Sequence, residues 1–337
     1  MSFSIAPQQP RTQSEDATRA LEAGLWLEDG NVVLIAEDTP FKVHRNVLCH
    51  NSQVFRDKFS QVVQGSENNG ALIVALSDAW KDVQYMLSAL YYGGKYFSTD
   101  KPLSFAVASA LLRLGTKYNI VHLRDEVVAR LKQCFPPSLE DFNNCYAGPK
   151  AYDDDDSLAC IPEAIQLQKT DVIGVINLAR LCDLPFLLPP AFYICSALDL
   201  DDIFEGVQDE DGRLMKLSPE DIYTCIRGRE DLIRANLECM EIFAFPENSF
   251  GCAAPFICNV REQAFIHKWW TEGGRIDTIV LVSPDWVERR GPLIDSPLCI
   301  LCRSAVLKYM DAFRQLVWNS LGEYFSVPDW PIIANAE

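Results

Sequence analysis

The chain has 337 residues, 48% of them hydrophobic and 11% aromatic, and a formal net charge of -17, which supplies apolar material for two ordinary cores. The whole charge excess lies in the second half: residues 1–135 hold 14 basic and 14 acidic side chains, residues 136–337 hold 16 and 33. A phosphate backbone or an anionic membrane would be repelled by that half and drawn only weakly to the neutral one, which argues against direct nucleic-acid binding and membrane docking.

Residues 1–24 begin MSFSIAPQQPRTQSEDATRA, a polar stretch without the basic start and apolar run of a signal peptide, and are expected to form a disordered tail. The longest apolar run, Leu184 to Leu198, is too short for a bilayer and is interrupted by Pro185, Pro189 and Pro190. Twelve cysteines without an N-x-S/T sequon favour a reducing compartment, so the expected address is cytoplasm or nucleus.

Val32 to Ala36 is an apolar run, Glu37-Asp38-Thr39-Pro40 is turn chemistry, and alternation resumes at Phe41 and Val43, a pattern that predicts a β-hairpin. His44-Arg45-Asn46 breaks the alternation. Val47, Leu48, Val54, Phe55 and Phe59 then follow at helical spacings, with Asn51-Ser52 as the cap of a second helix. ALIVAL (71–76) is a short strand. Ser77-Asp78 is the expected cap of a helix burying Val83, Met86, Leu87, Leu90 and Tyr91 and ending at Gly93-Gly94. Two more helices are expected to meet around Asn119 and His122. His44 has no acidic or nucleophilic partner at a suggestive spacing, so it is read as a buried imidazole that bonds nearby backbone and fixes the turn. Cys49 and His50 are read as a packed thiol and a solvated ring.

Three segments in this order, VVLIA with F-VHR-VL and S-VF---F, then LSDAWKDVQYMLSALYYG, then A--LL-LGTKYNI--L, resemble the BTB/POZ domain family over residues 25–136. The resemblance implies a small sheet capped by helices that homodimerises or docks a protein partner and carries no catalysis. Dimerising members of that family place an aspartate before the first long strand, balanced by a basic residue near Arg45. Asn31 stands in the aspartate's place, which implies a dimer altered or weakened at that pocket. Members that recruit cullin-type ubiquitin-ligase scaffolds carry an apolar residue two positions before a glutamate. Glu67 matches the glutamate, but Gly65 does not supply the apolar anchor, so a cullin-adaptor role is the disfavoured alternative.

Pro136-Pro137 stops the last helix of this domain, and 137–160, with Asp153 to Asp156, reads as an acidic linker. The aspartate run lacks the glycine bend and alternate spacing of a calcium loop, and is read as solvated linker. Residues 161–337 are expected to be mainly helical, with one helix ending near Asp183, another starting at Pro189 or Pro190, and a long one opened by Ser218-Pro219-Glu220-Asp221. LLPPAFY, C--GRE-L and R--VW-SLGEYFSVPDW resemble the C-terminal part of BTB-containing proteins from mushroom-forming fungi, which implies architecture without an activity; Gly322 stands where those proteins often carry proline. The fold class expected for the whole chain is therefore α+β, a BTB/POZ domain followed by a helical C-terminal domain.

Cys252 and Cys258 form a C-x5-C pair, and Cys299-Ile300-Leu301-Cys302 is a C-x-x-C. Two pairs of soft ligands on separate turns suit a structural zinc, with His267 able to replace one of them. A cluster of buried thiols that binds nothing and a redox-active pair are the other readings. No phosphate loop, nucleophile elbow or histidine placed to activate a thiol is present, so the chain is read as an interaction protein rather than an enzyme.

Overall fold

The computed structural model describes residues 25–61, 67–68, 71–96, 101–146, 164–244, 252, 258, 299–328 and 330. The tail 1–24, Gly65, Asp153 to Asp156 and His267 lie outside the described residues. The chain divides into two compact units, one up to Ala129 and one from Arg130 on.

The first unit is built on a four-stranded sheet. β1 (Val32–Ala36) pairs antiparallel with β2 (Thr39–Val43) and parallel with β4 (Ala71–Leu76), and β3 (Glu67–Asn68) closes the other edge in the order β2-β1-β4-β3. Val32, Leu34 and Ala36 are fully buried, as the alternation requires. The turn is tighter than the four residues expected. Ala36 sits opposite Thr39, so only Glu37 and Asp38 turn, with Glu37 at φ 51, and Pro40 lies inside β2 opposite Ile35. A proline fits there because β2 is an edge strand. The Lys42 carbonyl accepts from the Leu27 N–H on the side away from β1, and Pro40 shares that outward orientation, so no ladder bond is lost.

A parallel β1–β4 pair needs a crossover, and α1 (Arg45–Asn51) and α2 (Gln53–Gln61) supply it. Ser52 caps α2 as expected: its Oγ accepts from the Phe55 N–H at 3.0 Å and donates to the Tyr118 carbonyl at 2.5 Å. Phe55 is fully buried and stacks on Tyr118 with centroids 4.4 Å apart. α3 (Trp80–Tyr91) buries Val83, Met86 and Leu87, but Ser77-Asp78 does not cap it. Its N-cap is Ala79. The Asp78 carboxylate instead takes the Lys117 ammonium at 2.6 Å and the Tyr118 hydroxyl, and Ser77 accepts from Lys117 at 3.1 Å. Charged donors from the end of a distant helix outcompete the local N–H groups for that carboxylate. Burial, and then the bond to Asp78, hold the Tyr118 phenol well above its ordinary pKa. A short turn of helix, α4 (Gly93–Tyr96), continues the chain where the two glycines were expected to stop it. α5 (Phe105–Lys117) and α6 (Val121–Cys134) meet at Asn119, whose φ of 51 makes the turn. His122 lies inside α6 rather than in the turn.

The second unit is mainly helical. The segment 137–160 is not linker throughout: Leu139–Tyr146 forms α7, with Leu139, Phe142 and Cys145 buried, because Ser138 caps it through the Asp141 N–H and the Phe142 ring packs 4.8 Å from that of Trp318. α8 (Val172–Leu181) ends before Asp183, at φ 55, and α9 (Leu188–Cys195) starts one residue before the two prolines, which occupy its first turn. After α10 (Leu200–Glu205), a small hairpin pairs Val207–Gln208 with Leu214–Met215. α11 (Pro219–Ala244) is opened by Ser218, whose Oγ accepts from the Asp221 N–H while Asp221 also takes the Arg180 guanidinium at 2.8 Å. α12 (Ile300–Tyr324) packs on α11 and α9, bringing the fully buried Phe325 against Phe192 at 5.4 Å. Trp318 donates from Nε1 to the Pro137 carbonyl at 2.8 Å.

One buried carboxylate gives this unit a pH signature. Asp171 accepts from the Gln168 N–H at 2.8 Å. Burial pushes its pKa up to about 6 against that bond, and the Glu210 and Asp209 charges add to the rise. The folded chain therefore holds this proton more tightly than the unfolded one. Its contribution to stability is fully present below about 3.8 and is lost as pH rises through about 6. Thermal denaturation should show Asp171→Asn, which keeps an acceptor for Gln168, with a flatter stability profile between about pH 4 and 6 than the natural chain; equal slopes would contradict this assignment.

Candidate functional site

Two groups of side chains carry the functional expectations, one in each unit. In the first, the Asn31 side-chain oxygen accepts the backbone N–H of Arg45 at 2.8 Å, so it ties the start of β1 to the first turn of α1. The side chain of His44, the N-cap of α1, makes no bond to the helix end, and Asn31 satisfies a helix-end donor in its place. The Arg45 guanidinium turns toward α2, with Nη2 3.5 Å from the Phe59 carbonyl and its carbon 5.7 Å from the ring centroid. Asn31 and Arg45 thus meet through backbone rather than as a side-chain pair. Asn31→Ala should cost about 1 kcal/mol of stability, whereas Asn31→Asp keeps the acceptor and should cost less; chemical denaturation of both variants checks this. Glu67 begins the edge strand β3, with its backbone opposite Leu72.

His44 is half-buried, and its partners are side chains rather than the neighbouring backbone expected. The Tyr91 hydroxyl accepts from the His44 backbone N–H at 2.8 Å and lies 3.1 Å from Nδ1, while Nε2 lies 3.1 Å from Asp29 Oδ1. The Asp29 carboxylate can only accept, so Nε2 is the donor of that bond, and the Tyr91 hydroxyl is the partner of Nδ1. This bond, ahead of Asp29's own backbone N–H, holds the exposed carboxylate below its usual pKa. Burial raises the Tyr91 phenol. Each donor in the string has an acceptor, which makes it a fastening between the β1 approach, α1 and α3. Spacing along the sequence concealed it, because Tyr91 lies 47 residues beyond His44.

The second group is the cysteine cluster. Cys299 is the N-cap of α12 and Cys302 lies in its first turn, so the i, i+3 spacing puts both sulfurs on one side of the helix end. Cys252 and Cys258 bring their sulfurs to the same place: the four Sγ atoms lie within 4.8 Å of one another, and Cys252 Sγ is 3.8 Å from Cys299 Sγ. Cys258 and Cys302 are buried at 3% and 1% exposure, and Cys252 and Cys299 are half-buried. All four are free thiols.

That geometry suits a tetrahedral soft metal. A zinc–sulfur bond of about 2.3 Å sets a tetrahedron edge of about 3.8 Å, the separation found between Cys252 and Cys299. The Cys302 backbone N–H draws the Cys299 thiol down to about 6, with the surrounding thiols adding to the effect and burial opposing it. Cys258 is shifted upward, because burial and its bonds to the Cys252 and Cys299 thiols outweigh the lowering effect of the backbone and Cys302. The positive end of the α12 dipole lies beside the two C-x-x-C sulfurs and favours negative charge there.

Residues 27–134 match the family model of the BTB/POZ domain. With the small sheet and its cap of helices, this stretch is a BTB/POZ domain, a protein-interaction module that commonly homodimerises or binds partners and is generally not an enzyme. No curated protein matches the chain. Among the described residues, no helix is long and apolar enough to cross a membrane.

Proposed function

We propose that this chain is a homodimeric protein-interaction hub of the cytoplasm or nucleus, without catalytic activity, in which the BTB/POZ domain pairs two copies and the acidic helical half engages a further protein or steadies the pair. The observation that carries the reading is the BTB/POZ match over 27–134 together with the sheet and helices it covers. Asn31 keeps a bond to the Arg45 N–H but lacks the carboxylate that the resemblance places in the dimer pocket, so the pair in this reading is altered or weaker at that point. The likeness of the second half to proteins of mushroom-forming fungi belongs to the same reading. So does a structural zinc on Cys252, Cys258, Cys299 and Cys302, whose sulfurs all lie within 4.8 Å of one another. Adaptor function for a cullin-type ligase rests on Glu67 alone and is the second reading.

Light scattering of the full chain over a wide concentration range tests the hub. A steady mass near twice 38.0 kDa is the expected result, and a steady monomer overturns it. Binding of a cullin N-terminal domain that is lost in Glu67→Ala would move the conclusion to the adaptor.

A further inference from the structure

The four cysteines of the cluster are not equally buried. Cys258 and Cys302 are buried, whereas Cys252 and Cys299 are only partly buried, and their sulfurs lie 3.8 Å apart. The two less buried cysteines are therefore neighbours. A disulfide needs them at about 2.05 Å, so an approach of under about 2 Å converts the pair from metal ligands into a covalent link. Cys252 and Cys299 also come from different stretches of chain, and their link would tie both stretches together after a metal had gone.

Resting on the zinc reading above, we infer that the cluster is a peroxide-responsive clasp: hydrogen peroxide oxidises Cys252 and Cys299 to a disulfide and expels the zinc, while Cys258 and Cys302 remain reduced. The Cys299 thiolate attacks one peroxide oxygen, forming an S–O bond and breaking the O–O bond, and hydroxide leaves. The Cys252 thiolate then attacks the sulfenic sulfur, forming the S–S bond, and the oxygen leaves as a second hydroxide. Two thiolates lose two electrons in total, and one peroxide is reduced to two hydroxides, which take protons from solvent. The zinc is left with two sulfur ligands instead of four and dissociates. A thiol reductant with added zinc restores the four-sulfur site. The buried pair gives the switch its direction, since burial keeps Cys258 and Cys302 from the oxidant.

The test uses the natural full-length chain, its zinc content measured first by elemental analysis. The chain is treated with hydrogen peroxide, released zinc is followed with a chromogenic chelator, and disulfides are mapped by mass spectrometry without reduction. The expected result is loss of the bound zinc together with a Cys252–Cys299 disulfide, and recovery of the zinc after reduction and reloading. Zinc retained under excess peroxide, or zinc lost with Cys258 or Cys302 in the disulfide, overturns the inference and leaves the structural zinc standing. A chain that holds no zinc as purified and takes up none overturns both.

Discussion

With the proposed zinc on the four sulfurs, loss of the two buried ones, Cys258→Ser with Cys302→Ser, is expected to strip it from the C-terminal unit and loosen the start of α12. Sites of this kind in zinc-finger peptides bind with about 10–16 kcal/mol of apparent free energy, most of which is folding free energy. That range is a ceiling here, because α12 is also held further along by Trp318 and by the stacking of Phe325, which follows the helix, on Phe192. The damage should therefore be concentrated at the N-terminal turns of the helix. Elemental analysis should find the metal gone, and hydrogen exchange should speed up by orders of magnitude over residues 300–305 while the turns around Trp318 stay protected. Bound zinc in the double variant, or unchanged exchange at 300–305, would count against a metal at these sulfurs. Serine is close to cysteine in size but brings a buried hydroxyl that costs about 1–3 kcal/mol by itself, so the metal content, rather than the loss of stability, decides the test.

A loss of global stability is expected from one methyl group. Gly228 lies in α11, and a Cβ there would sit 2.1 Å from Phe325 Cε1 and 2.3 Å from Cδ1. The ring is fully buried and stacked on Phe192 at an interplanar angle of 14°, so it has no open direction in which to yield. Ala favours an exposed helix interior over Gly by about 1 kcal/mol, while overpacking of a close-packed core costs about 1–3 kcal/mol and sometimes more. With the clash at the side of a rigid ring, the cost lies at the top of that range, and Gly228→Ala should lose about 2 kcal/mol net. Scanning calorimetry checks the size of the effect, and a Gly228→Ala/Phe325→Leu chain should recover part of it by giving the new methyl space. A single variant as stable as the natural chain would mean that the two helices separate freely, contrary to this packing.

Local chemistry in the sequence anticipated local structure well. Alternation placed β1 and β2, Ser52 was recognisable as a cap, Ser218 through Asp221 opened a long helix, and the thiol spacing pointed to one four-sulfur group. What the sequence concealed was set by competition or by distance along the chain. Ser77-Asp78 has the chemistry of a cap, yet Lys117 and Tyr118 take the carboxylate, and nothing near Asp78 announces them. Leu139–Tyr146 lay hidden in a segment dominated by its acidic continuation, because the Trp318 ring that rewards burial of Phe142 belongs to the far end of the chain. Gly228 has no local feature that explains it, and only the position of Phe325 gives it a reason.

The proline in β2 bears on how the BTB/POZ domain meets its partners. The outward edge of that strand is covered at Lys42 by the residues around Trp26 and Leu27, and at Pro40 it has no N–H to offer. An extended peptide laid along this side would find part of the ladder occupied and one donor missing. The edge is thus guarded against the strand-to-strand stacking that leads to aggregation, and a partner must recognise the domain by its side chains rather than by lengthening its sheet at β2.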